Sequence, residues 1–188
     1  SEEAVSAGDT KAKTISFWIK ADDTTSRKVM DIDGADQIEI DASSNIIATS
    51  FPSATVYVDG SSASAAIDSD WHHVVITDST GVEPSALDIG RTSSEYFSGT
   101  LDQIRFYDRV LSQEEIGKLY RHGKRTLQLN SPTKNYQTDG LVGHWTFDGQ
   151  DMDWNSTGSE VRDVSGNANH GAVQNFGPQS AADGISGQ

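Results

Sequence analysis

The run from Gly99 to Tyr120, GTLDQIRFYDRVLSQEEIGKLY, limits the fold most severely, because a strand pattern passes into a helix pattern with almost no loop between them. In its first half Asp102, Ile104 and Phe106 alternate with Gln103, Arg105 and Tyr107, the period of two expected of a half-buried strand. In its second half Ser112 and Glu115 stand in the S-x-x-E spacing of a capping box, and Leu111 is placed to staple onto Ile116. Ile116, Leu119 and Tyr120 form one apolar stripe, and Gly123 reads as the terminator of a short helix near residues 112–122. Asp102 breaks the pattern. A carboxylate on the face of Ile104 and Phe106 points toward the core edge and needs a partner, which an Arg, a set of backbone N–H groups or a hard cation such as calcium would each supply.

The chain before this run reads as strands. From Thr14, Ile15, Phe17 and Ile19 alternate with Ser16, Trp18 and Lys20, so one aliphatic-aromatic face is buried while Trp18 lies on the other, where packing under a neighbouring loop is expected in preference to stacking on a sugar. Short apolar runs at Val29–Ile32, Ile38–Ile40 and Ile46–Ile47, separated by Gly, Asp, Ser or Asn, predict an antiparallel meander. Thr55–Val58 is a further strand ending in the Asp59-Gly60 turn signal, and Trp71–Thr77 is rich in β-branched residues. No segment before Ser112 carries helical periodicity. The expected fold class is therefore all-β, a sandwich of antiparallel strands with one short helix.

Composition narrows the partners. With 188 residues the chain is long enough for one sandwich, or for one domain and a fragment of another. Its 28 acidic against 14 basic side chains leave a net charge of −14, which disfavours nucleic acid and anionic membranes and favours cation binding. Absence of cysteine excludes a disulfide framework and a thiolate metal site. No apolar run approaches the roughly 18 residues of a membrane span, so membrane insertion is not expected, and with no signal peptide at Ser1 the chain reads as a soluble piece of something longer.

Five stretches together resemble the laminin-G-like branch of the concanavalin A-like jelly rolls: TISFWIKA from Thr14, the VYVDG turn ending at Gly60, DWHHVVIT from Asp70, LDIGR from Leu87, and the Gly99–Ile116 run itself. The likeness covers about residues 5 to 123, taken as the main part of the domain (1–123). Residues 124–139 (KRTLQLNSPTKNYQTD) read as a linker or an added edge strand. Residues 140–188, with GLVGHWTFDG and then VRDVSGNANHGAV, resemble the opening strands of the same family, so the motif order is offset, as in a circular permutant or a tandem repeat. These strands are expected to complete the same sandwich, in preference to one in a neighbouring molecule.

The resemblance implies a secreted or cell-surface, non-catalytic binding or adhesion module that takes a glycan or another surface ligand, with a structural calcium at the rim. The candidate ligands for calcium are Asp102, Asp148, Asp163, Asn167 and Asn169, since loops of Asp, Asn and Gly supply the oxygen shell this ion prefers; the same residues also cap turns. Trp154, in polar surroundings, and Tyr96 are the candidate aromatic planes for a sugar. The alternative is a spacer or assembly unit of a repetitive surface protein, joined to neighbouring repeats or copies of itself by strand complementation and without a ligand pocket. Zinc is not expected. His72 and His73 are adjacent on a strand and point to opposite faces, His144 and His170 fall where the family uses them structurally, and His122 sits near the predicted helix end. Catalysis is not expected either, because Glu39 and Asp41 alternate on what reads as a solvated face and no nucleophile motif is present.

Overall fold

Ala12 to Ala21 form the strand on which the molecule is built, β1, because its two faces serve two different layers. The computed structural model describes residues 11–92, 95–129, 139–147, 151–155 and 158–173. In chain order the other elements are β2 (Arg27–Asp31), β3 (Gln37–Ile40), β4 (Ile46–Thr49), β5 (Thr55–Val58), β6 (His72–Val82), β7 (Asp88–Ile89), β8 (Arg91–Thr92), β9 (Glu95–Tyr96), β10 (Gly99–Tyr107), α1 (Gln113–Leu129), β11 (Leu141–Trp145), β12 (Met152–Asn155), β13 (Gly158–Val161) and β14 (Gly171–Val173). Among the described residues the fold is mostly β, with two principal antiparallel sheets and one helix.

The larger sheet has the order β11-β10-β1-β6-β5, and the second runs β4-β3-β2-β7, with β2, β3 and β4 forming the expected meander. Ile15, Phe17 and Ile19 of β1, Val74 and Ile76 of β6, and Ile104 and Phe106 of β10 meet Met30, Ile32, Ile38, Ile40 and Ile46 in one buried core. Each such side chain contributes about 1.5–3 kcal/mol when fully buried. The two sheets thus share a core in a sandwich-like arrangement. A three-stranded sheet β12-β13-β14 and the β8-β9 hairpin complete the architecture.

On the outer face of the five-stranded sheet lies α1. Its N-terminus is built as the spacing requires: Ser112 N–H donates to Glu115 Oε2 at 2.8 Å, Glu115 N–H donates to Ser112 Oγ at 3.3 Å, and Leu111 and Ile116 are buried in one cluster with Val75, Tyr107 and Leu119. Arg109 adds a bidentate pair to Glu115 at 2.8 and 3.1 Å. That pair and the Ser112 bonds hold the Glu115 carboxyl down to about 2.

Two expectations are corrected here. First, the helix does not stop at Gly123 but runs to Leu129, so residues 124–129 are helix and His122 is not at its end. Gly123 faces the sheet: a Cβ there would lie 2.3 Å from Trp18 Nε1. It lets the helix pass over the indole instead of ending it. Second, Asp102 does not share the face of Ile104 and Phe106. Ser16 pairs with Arg105 but Trp18 with Asp102, so Gln103 and Ile104 together oppose Phe17 in a β-bulge, with Gln103 at φ 54°. The extra residue flips everything before it, and Asp102 lands on the Trp18 side, facing the helix layer. The Asp59-Gly60 turn forms as expected, at φ 53° and 80°, and residues 61–71 lead from it to β6.

Candidate functional site

The rim loop that follows β13 carries three of the residues expected to bind calcium, and it is joined to β11 throughout. Asp163 Oδ1 accepts from His144 N–H at 2.8 Å and Ser165 N–H at 2.8 Å; Oδ2 accepts from Ser165 Oγ at 2.8 Å and Asn169 N–H at 3.0 Å. Asn167 Nδ2 donates to Leu141 O at 2.8 Å, Asn169 Nδ2 to Val142 O at 2.7 Å, and Val164 N–H to His144 O at 2.8 Å. Trp145 Nε1 donates to Asn169 O at 2.9 Å. While one edge of β11 pairs with β10, this loop satisfies backbone groups along the other. Burial raises the Asp163 carboxyl, but the bonds from Ser165, His144 and Asn169 outweigh it and the net direction is down.

In this arrangement Asp163, Asn167 and Asn169 act as caps and edge partners for the chain's own backbone. The four acceptor positions of Asp163 are taken by N–H and O–H donors, and the amides of Asn167 and Asn169 face carbonyls that need them. Asp102 sits on a different element under the helix layer, and Asp148 lies outside the described residues. Among the described residues no group of three or more His, Asp or Glu side chains is placed to hold a metal ion.

The β10 bulge gathers a second polar group. Gln103 Oε1 accepts from Arg105 and from His144 Nε2, the latter at 3.1 Å, while Arg105 also donates to Gln103 O at 3.2 Å. Nε2 is therefore the donor of this bond, which a neutral ring protonated at that nitrogen can make. Burial, with the Arg105 charge beside it, pushes this ring down to about 3. On the next strands Ser16 Oγ and His73 Nε2 are 2.9 Å apart, a spacing reminiscent of a nucleophile and its base. Both residues are fully buried, and the Trp18 and Tyr120 rings lie 5.1 and 6.3 Å from the imidazole. A substrate has no path to them as folded. Burial, with the Arg105 charge, pushes His73 down to about 3 as well. His73 Nδ1 and the Tyr107 hydroxyl find no hydrogen-bond partner among the described residues, and burial pushes the Tyr107 phenol up to about 12.

Of the two aromatic candidates for sugar binding, Tyr96 stands on the β8-β9 hairpin with 60% of its surface exposed, while its neighbour Phe97 packs against the main core. Trp154 falls on β12, and its side chain lies outside what is described. Glu39 pairs across the strands with Lys28 and its side chain is only 14% exposed, less solvated than expected, while Asp41 caps its turn through Ser43 and Asn45.

Sequence reasoning missed His72. The residue sets its Nδ1 2.9 Å from Asp59 Oδ2 and its Nε2 3.0 Å from Asp68 Oδ1. The signal was present as an Asp in the tight turn and another Asp four residues before the histidine, but only the fold brings Asp59 to it. Comparison of the chain with protein families, with curated proteins and with solved structures finds no match.

Proposed function

We propose that this chain is a non-catalytic binding or adhesion module of a secreted or cell-surface protein, a laminin-G-like jelly roll of the concanavalin A-like type whose opening strands come last. The observation that carries the reading is the antiparallel pairing of β11 with β10 combined with the loop along its far edge. Late residues fill one side of a sheet begun by early ones, and the far edge of β11 is bonded to a loop of the same chain. That weighs against the assembly-unit reading and in favour of a self-contained module. The jelly-roll assignment itself rests on the sequence resemblance.

The ligand in this reading is a carbohydrate, taken at the β8-β9 hairpin by the exposed ring of Tyr96, whose apolar face and hydroxyl edge suit a sugar's C–H face and hydroxyls. A glycan array probed with the wild-type protein and with Tyr96→Ala tests it. One sugar class should bind, with a loss of tenfold or more in the variant. No signal at high protein concentration, together with head-to-tail oligomers on a sizing column, would refute the proposal and restore the assembly reading.

A further inference from the structure

Residues 59–71, between β5 and β6, touch three other parts of the molecule. Ile67 is buried in the main core, and its N–H donates to Ser44 O at 2.9 Å; Ala65 O accepts from Ile46 N–H at 2.8 Å. Gly60 O accepts from Gln113 Nε2 of α1 at 2.6 Å, and Gly60 lies against the Tyr120 ring. The segment therefore ties β4 and the first turns of the helix to the five-stranded sheet. Its two ends meet at His72.

We propose that His72 is a proton-operated latch for this loop: the imidazolium bridges Asp59 and Asp68 and holds the loop shut, and loss of the proton loosens it. The geometry at Nε2 accommodates both states. Asp68 offers a carboxylate oxygen at 3.0 Å and its own backbone N–H at 3.2 Å. An imidazolium donates to the carboxylate; a neutral ring protonated at Nδ1 can only accept, so it turns to the N–H and its lone pair repels the carboxylate. Asp59 keeps Nδ1 in either state, and its second oxygen accepts from His73 N–H at 3.0 Å, which fixes that end of the bridge to β6. The charged groups facing the ring are Asp59, from the turn after β5, and Asp68, from the far end of the loop.

Burial alone would favour the neutral ring, but the bonds to Asp59 and Asp68 outweigh it, and the folded value lies above the usual 6.5. A raised histidine contributes stability that is fully present below about pH 6.5 and is lost as pH rises through the folded value. The loop is thus latched in mild acid and released on the alkaline side.

Hydrogen exchange of the whole chain from pH 6 to pH 9, with loop amides referenced to β1 amides, tests this beside an NMR titration of the His72 ring. Loop protection in the wild type should fall across the ring's titration, by about tenfold for each unit by which that titration exceeds 6.5. His72→Gln should show low protection that does not vary with pH. Asp68→Asn, at an exposed position, should move both the ring titration and the loss of protection to lower pH together. Protection that stays flat in the wild type, or that falls equally in His72→Gln, overturns the latch, and so does a ring that titrates below 6.5. Should His72→Gln not fold, the shift or its absence in Asp68→Asn decides.

Discussion

At the scale of single residues, two buried imidazoles carry a pH dependence opposite in sign to that of His72. His73 and His144 are both held near 3 by burial and by the Arg105 charge, while an unfolded histidine titrates near 6.5. Between those values the unfolded chain binds more protons, so stability is fully present above about pH 6.5 and falls as pH drops. Each ring contributes a slope of about 1.4 kcal/mol per pH unit, and the two together remove about 5 kcal/mol by about pH 4.5, comparable to the whole stability of a modest domain. Urea unfolding at a series of pH values should show this slope, and His144→Gln should halve it. An unchanged slope in the variant would mean that His144 charges inside the folded protein.

The helix offers a paired test at the scale of an element. A Cβ at Gly123 would sit 2.3 Å from Trp18 Nε1 and 2.6 Å from two ring carbons, whereas one at Gly117 would meet only the mobile end of Arg121, at 3.1 Å. Both substitutions to alanine improve helix propensity by about 1 kcal/mol. Gly117→Ala should therefore stabilise by about 0.5–1 kcal/mol, while Gly123→Ala should destabilise by about 1–2 kcal/mol as overpacking outweighs propensity. Thermal melts of the two variants should move in opposite directions; a stabilised Gly123→Ala would mean that the helix does not rest on the indole. A related argument applies to β11. Asp163→Ala removes the acceptor of four hydrogen bonds and should cost about 2–3 kcal/mol, with faster amide exchange at His144 before the rest of the sheet. Exchange that quickens everywhere at once would place the loop's contribution outside that edge.

For the molecule as a whole, the rim carboxylate is saturated by the chain's own donors, so chelator should leave the melting temperature of the wild type unchanged. A drop of several degrees on chelation would show that a cation competes for Asp163 after all. Much of the architecture was legible beforehand, because alternation at Ile15, Phe17 and Ile19, the Ser112–Glu115 box and the spacing of the β2–β4 meander are local properties, set by backbone period and by bonds between near neighbours. The bulge at Gln103 was not legible, since a one-residue slip leaves the letters of an alternating strand intact while reversing which face Asp102 occupies. Gly123 carried a terminator's signature, and only the indole beneath it shows why a glycine stands inside a helix. His72 and Asp59 are thirteen residues apart and adjoin only because β5 and β6 pair. By itself the sequence determined the periods, the caps and the apolar faces, which depend on residues a few positions apart; tertiary structure alone decided register, face and partner, because those depend on which distant strand lies alongside.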